Sequence, residues 1–341
     1  MVYFFKRFKK KLLKDNNLPE KKRLPEISLA PLQGITDYYF RNAFNTHFYG
    51  LDRAYSPFIR LKGGKIKTSQ IKDVLPENNK DLNLIPQILT NSDDEFIFLA
   101  NYLADLGYSE INWNLGCPFP MVAKRQMGSG LIPYPERIEQ LLEKLMPIIP
   151  VKLSIKMRLG YENENEISNL LPLLDKFSIS EIIIHTRIGK QMYKGKANPA
   201  AFESCMKLTK HKLAYNGDVD SLATFEELDT RFKTVNSWMI GRAAISNPFL
   251  IEEIKTGECL TADKKMERFS EFHTDLYERY SGTLSGSGHI LNKMLHFWEY
   301  FSQSFTNSRK VYKAIKKSNS INKFEESIHR IFNNEQLRSL N

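Results

Sequence analysis

The chain has 341 residues, with 49 Lys and Arg against 39 Asp and Glu, a formal net charge of +10 with His neutral. That length suits one large domain of roughly 250 residues with a small appendage, and a hydrophobic content of 42% supplies a sizeable core. The surplus of positive charge favours a polyanionic partner, nucleic acid ahead of membrane.

The first segment, 1–24, opens "MVYFFKRFKKKLLKD". Its lysines interrupt the apolar residues before a signal-peptide core can form, and a basic arm that contacts RNA is one reading of it, a solvated lead-in the other. From residue 26 a rhythm begins. Apolar runs recur at 26–32, 51–58, 82–89, 110–115, 150–157, 181–186, 212–216 and 236–241. Helix-patterned stretches such as 93–107 and 135–149 lie between most of them. Alternating strand and helix implies parallel strands joined by crossover helices. Eight such repeats in about 215 residues predict a (β/α)8 TIM barrel over 25–250. A doubly wound sheet is the competitor, and no GxGxxG follows an early strand to support it. Beyond 250 the strand signal stops, and 264–282, 289–305, 308–318 and 321–332 read as helices of a small C-terminal domain, 251–341. The basic run Arg309, Lys310, Lys313, Lys316 and Lys317 gives that domain an RNA-facing surface or merely a solvated face.

Three cysteines, Cys117, Cys205 and Cys259, are odd in number and far apart, which argues against a disulfide framework. None forms a CxxC pair, so no metal site is expected. No apolar run approaches the roughly 20 residues of a membrane span. The expectation is a cytoplasmic monomer with no membrane partner.

In a barrel, chemistry gathers at the carboxyl ends of the strands. The residues there are Pro31 and Leu32; Gln87; Asn114 and, just beyond it, Cys117; Lys156 and Arg158; His185 and Arg187; Asn216, Gly217 and Asp218; Gly241 and Arg242. Buried polar groups are costly unless paired, so a bland core would not collect so many. "YNGDV" (215–219) and "IGRAA" (240–244) put glycine where the last strands meet their helices, a common phosphate site of barrels. Lys156 at the end of a buried strand needs an anion or an electron-rich ring. A phosphate at one side and Lys, Gln and His at the middle suit FMN lying across the barrel mouth.

The chain resembles the dihydrouridine synthases, flavin enzymes that reduce a uridine double bond in RNA. The resemblance rests on "APLQGITDYYFRNAF" (30–44), "NLGCP" (114–118) with "GSGLI" (128–132), "SIKMRLG" (154–160), "IIIHTRIGKQMYKG" (182–195), "YNGDV" and "MIGRAAISNPFL" (239–250), about 220 residues in the family's order. It implies a TIM barrel followed by an RNA-binding helical domain, with NADPH as hydride source and tRNA as the expected substrate. It further implies that Gln87, Asn114, Lys156, His185, Asn216, Gly217, Asp218, Gly241 and Arg242 hold FMN and that Cys117 is the proton donor. The sequence departs from the family at Leu32, where Met is common, at "KANPAAFE" (196–203), which lacks a Trp, and at "RAYSPF" (53–58), which lacks an acidic residue.

If that resemblance holds, hydride reaches carbon 6 of uracil and a general acid on the opposite face protonates carbon 5. A thiol, mostly protonated at neutral pH, suits that task. The turn Gly116–Pro118 and "KRQMGSG" are expected to close over the base, which must be turned out of its stack to enter. Lys124, Arg125, Arg158, Arg187, Lys190 and Tyr193 are candidate contacts to the RNA; for each the competing role is a rim salt bridge. Cys205 and Cys259 are read as structural. The alternatives are a dihydrouridine synthase of ribosomal RNA, a flavin-dependent small-molecule ene-reductase or dihydroorotate-type dehydrogenase, and a non-catalytic RNA-binding protein.

Overall fold

The computed structural model describes residues 24–338, so an RNA-contacting arm over 1–24 lies, but for Leu24, outside them. The strands are β1 (Glu26–Leu29), β2 (Arg53–Tyr55), β3 (Leu61–Lys62), β4 (Lys65–Ile66), β5 (Leu84–Ile85), β6 (Gln87–Ile88), β7 (Glu110–Leu115), β8 (Lys152–Gly160), β9 (Ile179–Ile188), β10 (Leu213–Asn216) and β11 (Ser237–Ile240). Nine of them form one parallel sheet in the order β5-β2-β1-β11-β10-β9-β8-β7-β6, and β3 and β4 form a separate hairpin. The two ends of that order, β5 and β6, are one stretch of chain broken at Pro86. Proline has no N–H to give the ladder, but the Pro86 carbonyl still accepts from Asn112 N–H at 2.8 Å. The sheet therefore closes on itself as the expected eight-stranded barrel.

Two apolar layers hold it. Outside the strands, aliphatic residues of β7 to β11 such as Ile111, Leu153, Ile155, Ile182 and Ile184 pack under the helices and are fully buried. Inside, Ala30, Tyr55, Ile85, Ile183, Ala214 and Met239 fill the middle of the barrel. Below them Arg53 donates to Glu181 at 2.5 Å, and Lys212 pairs with the same carboxylate at 3.0 Å. Tyr55 OH also donates to Glu181, at 3.4 Å. This plug lies at the amino end of the barrel, opposite the mouth formed by the carboxyl ends of the strands.

The helical region follows as expected, with helices Ala262–Ser281, Ser287–Phe301, Ser308–Lys316 and Ile321–Asn334. Its aromatic core joins the barrel: the rings of Phe40 and Phe297 stack at 5.6 Å, and Phe272 meets Phe44 and Phe48 edge-on. Polar contacts reinforce the seam. Asp37, which caps the helix Tyr38–His47, accepts from Tyr280 OH at 2.5 Å and pairs with Lys293 at 2.9 Å. Lys293 also donates to the Gly34 carbonyl, so the loop after β1 is tied to the helix Ser287–Phe301. Among the described residues no helix is long and apolar enough to cross a membrane.

Candidate active site

Parallel register brings the strand-end residues together. Asn114 lies beside Lys156, and His185 is flanked by Arg158 on one neighbour and Asn216 on the other. Because side chains alternate along a strand, Ser154, Lys156 and Arg158 share the inner face of β8, as do Asn112 and Asn114 on β7.

A chain of hydrogen bonds runs up this wall to the cysteine. Asn112 donates to Ser154 Oγ at 3.0 Å, Gln87 to Asn112 Oδ1 at 2.8 Å, and Asn114 to Gln87 Oε1 at 2.6 Å. Asn114 Oδ1 then accepts the N–H groups of Gly116 and Cys117, at 2.9 and 2.8 Å. Each amide side chain has two N–H groups, so Gln87 and Asn114 each keep one for a ligand. The Cys117 carbonyl accepts from both the N–H and the hydroxyl of Ser129. Arg158 Nε donates to the Gly116 carbonyl at 3.0 Å. Asn91 holds the far side of the loop through the carbonyls of Arg125 and Gln126. The loop expected to be a moving cover is thus held by seven hydrogen bonds. Gly128 explains the remaining closeness: its φ is +58°, and a Cβ there would stand 2.7 Å from the Cys117 carbonyl oxygen. Cys117 itself is buried, and that burial pushes its thiol above the ordinary value against the opposing pull of the Phe119 N–H, Arg158 and Arg60. It is carried as a thiol, not a thiolate.

Facing it is a ring of positive charge. Burial, with help from Arg158, brings Lys156 down to about 7, and no carboxylate is among the groups acting on it. A lysine buried without a counter-ion fits a site that receives an anion, whose charge would favour the ammonium form. Burial and then Arg158, Lys156, Arg187 and Arg242 hold His185 well below the ordinary imidazole value. Arg187 Nη1 lies 3.2 Å from His185 Nε2 and can only donate, so Nε2 is the acceptor and Nδ1 carries the proton. Arg187 Nε is buried without a partner among the described residues. Asn216 is fixed by donating to the Met239 carbonyl at 2.8 Å. At Gly241 an added Cβ would come 3.3 Å from that of Ala30, so the backbone there runs close to the loop that begins at Pro31. Leu32 N–H donates to Thr36 Oγ1 in that loop. Among the described residues Asp218 is the acid paired with the ring, and it is taken up by Arg187 at 2.6 Å, Arg242 at 3.5 Å and the Ala197 N–H. The donor set fits a phosphate-bearing aromatic cofactor.

The expected RNA contacts divide. Arg158 has its donors on the carbonyls of Gly116, Ile188 and Met192, so it clamps the cysteine loop to the loop after β9. Arg187 is likewise buried and engaged. Lys190 forms an exposed pair with Glu162. Tyr193 is 41% exposed and lies under the guanidinium groups of Arg242 and Arg158, at 4.7 and 5.4 Å. Lys124 and Arg125 are exposed beside the cysteine loop. Sequence reasoning missed Arg60, which acts on the Cys117 thiol from the segment after β2. It also missed Tyr300, which the helical region brings near Tyr193 and Arg242. A cationic hairpin with a Gly-Gly tip was the available signal for the first; nothing local announces the second.

Closed parallel barrel, cationic strand ends and loop thiol together define a TIM-barrel protein whose buried polar groups gather at the carboxyl end of the strands. Comparison with known proteins makes the class specific: the profile of the family described as dihydrouridine synthase (Dus) matches residues 28–336. The chain belongs to the dihydrouridine synthase family, a family of oxidoreductases. Curated relatives include tRNA-dihydrouridine(16) synthase of Neisseria meningitidis serogroup B, 29% identical over 252 residues, 72% of this chain and 75% of that protein. tRNA-dihydrouridine synthase B of Vibrio vulnificus is 27% identical over 230 residues, 67% of this chain and 70% of that protein. Among solved structures, the old yellow enzyme of Trypanosoma cruzi matches with a TM-score of 0.50 at 11% identity, covering 70% of this chain and 92% of that one, a likeness of fold.

Proposed function

We propose that this protein reduces the carbon 5–carbon 6 double bond of a uridine in transfer RNA to 5,6-dihydrouridine, using FMN and NADPH, with Cys117 as the proton donor. The observation that carries the reading is the register that sets Lys156 beside Asn114, whose side chain holds the Gly116 and Cys117 N–H groups, so that the lysine and the loop thiol meet at one end of the barrel. Relatives named for transfer RNA support the substrate.

When bound, FMN reduced by NADPH supplies the hydride for carbon 6. Gln87, Asn114, Lys156 and His185 are the side chains to hold its ring system, with Pro31 and Leu32 beside them. Asn216, Gly217, Gly241 and Arg242 hold its phosphate, and Asp218 orients Arg187 and Arg242. Lys156 balances negative charge at the ring. At Cys117 the S–H bond breaks as the bond from hydrogen to carbon 5 forms, and the resulting thiolate takes a new proton from water. A thiol pushed up by burial remains loaded through the neutral range. A base would enter only after leaving its stack, and exposed Tyr193, Lys124 and Arg125 are the side chains that would receive it and its phosphates. The exposed Arg309, Lys313, Lys316 and Lys317 of the helical region, opposite buried Val311 and Ile315, supply grip that is independent of sequence.

The test is direct. Purified protein loaded with FMN is given NADPH and transfer RNA that lacks the modification. Dihydrouridine in the digested RNA is the expected product; a flavin-loaded protein that NADPH reduces but that leaves every uridine intact overturns the reading.

A further inference from the structure

The segment after β2 builds something the reaction does not by itself require. β3 and β4 form a two-residue hairpin with Leu61 opposite Ile66 and Lys62 opposite Lys65. Gly63 and Gly64 make the turn with φ of +58° and +71°, the left-handed pair that a tight hairpin needs, and a Cβ on either would meet nothing within 4 Å. The tip therefore stands free of the rest of the molecule.

The ribbon has two unlike faces. Leu61 and Ile66 are half-buried and pack on the main core. Alternation puts Lys62, Lys65 and Lys67 on the opposite face, where all three are exposed. Arg60 precedes Lys62 by two and shares that side. Phe58, two residues earlier, packs on the cluster of Leu89, Cys117 and Val122, which places the root of the ribbon beside the cysteine loop. Between Asp52 and Asp73 the chain has no acidic residue to neutralise this face. None of the four cations forms an ion pair among the described residues.

Lys62 and Lys65 sit directly across from each other, an arrangement that is unfavourable in an isolated hairpin because like charges on paired residues repel. A solvated surface has no reason to concentrate cations on one face of an acid-free ribbon. A polyanion laid across it removes the repulsion and gains from each charge.

We infer that the hairpin Leu61–Ile66 is a phosphate-gripping ribbon for the substrate RNA, holding the strand that flanks the target uridine on the Cys117 side of the mouth. This rests on the RNA-modifying function proposed above. It adds a second grip, on the barrel, to the basic helix Ser308–Lys316, so that the nucleotide is held from both sides while its base is turned out.

The double variant Lys62→Thr, Lys65→Thr of the full-length, FMN-loaded protein tests it, since Thr is well suited to a strand. Losing two phosphate contacts should weaken transfer RNA binding by roughly tenfold and reduce the slope of log affinity against log salt by roughly 1.5. NADPH should reduce the flavin of the variant at the wild-type rate. The melting temperature should be unchanged or higher because the lysine repulsion is gone, so weaker binding cannot be blamed on unfolding. Lys152→Thr, Lys233→Thr, exposed charges at the amino end of the barrel, is the control that should bind as wild type does. A hairpin variant with wild-type affinity and salt slope, or a control equally weakened, overturns the ribbon while leaving dihydrouridine formation by the wild type intact. A wild type that neither binds nor modifies transfer RNA overturns the proposed function itself.

Discussion

Replacing Lys156 with methionine separates what the site costs from what it does. The side chain keeps its length, loses its charge and remains suited to the inner face of β8. Burial lowers Lys156 from 10.5 to about 7 in the protein without its cofactor. A fall of that size corresponds to roughly 5 kcal/mol of disfavoured ammonium. The sign follows from proton counts. Between pH 7 and 10.5 the unfolded chain binds a proton that the folded chain has released, so the folded state gains as pH rises through that window. The penalty is fully present below pH 7 and shrinks to roughly 2 kcal/mol at pH 9. FMN-free Lys156→Met should therefore be more stable than wild type in urea at pH 6, by up to about 5 kcal/mol, with the advantage shrinking by about 3 kcal/mol at pH 9. The same variant loses a charge-assisted hydrogen bond to its ligand, worth roughly 1.5–3 kcal/mol, and should bind FMN about 10- to 100-fold more weakly in a fluorescence titration. A variant no more stable than wild type at pH 6, or one that binds FMN as tightly, refutes the assignment of Lys156 as an uncompensated cation awaiting an anion.

Activity should persist through neutral pH and decline only as pH climbs past the ordinary thiol range, because the acid must be protonated and burial raises Cys117; a decline beginning near pH 7 in single-turnover rates contradicts this. Gly128→Ala forces a left-handed residue and pushes a methyl against Cys117, so the melting temperature should fall by several degrees and dihydrouridine formation should drop together with it. Wild-type values for both would show that the loop is not packed as described. Glu181→Ala strips the shared carboxylate from Arg53 and Lys212 at the closed end of the barrel, and should cost roughly 3–5 kcal/mol in urea while leaving the FMN affinity of the folded protein unchanged. A loss below 1 kcal/mol would mean that the plug is not essential.

The barrel was legible because its rhythm is carried by burial: each of the eight apolar runs must be covered on both sides, and each appears as a strand. At β8 and β9 the edges moved under polar residues. β8 and β9 extend to Gly160 and Ile188, past the apolar runs that ended at 157 and 186, because the ladder continues under Arg158 and Arg187. The third run, "LNLIPQIL", splits at Pro86, whose missing N–H breaks the ladder. Strand ends converge in any parallel barrel, so reading them in order found Gln87, Asn114, Lys156, His185 and Asn216. What that reading could not supply is which partners a polar side chain takes. Arg158 turned to three carbonyls, Asp218 to two arginines, and Lys190 to Glu162. The pinning of the Cys117 loop depends on Asn91, Ser129 and Arg158, which are distant or unremarkable in sequence and meet only in the fold.

The central claim is that Cys117 gives its proton to a uridine whose other face receives hydride. The most direct measurement compares wild type and Cys117→Ala, both loaded with FMN, for flavin reduction by NADPH and for dihydrouridine formed in unmodified transfer RNA. The account predicts equal flavin reduction and no dihydrouridine from the variant. Dihydrouridine from Cys117→Ala at the wild-type rate would contradict it.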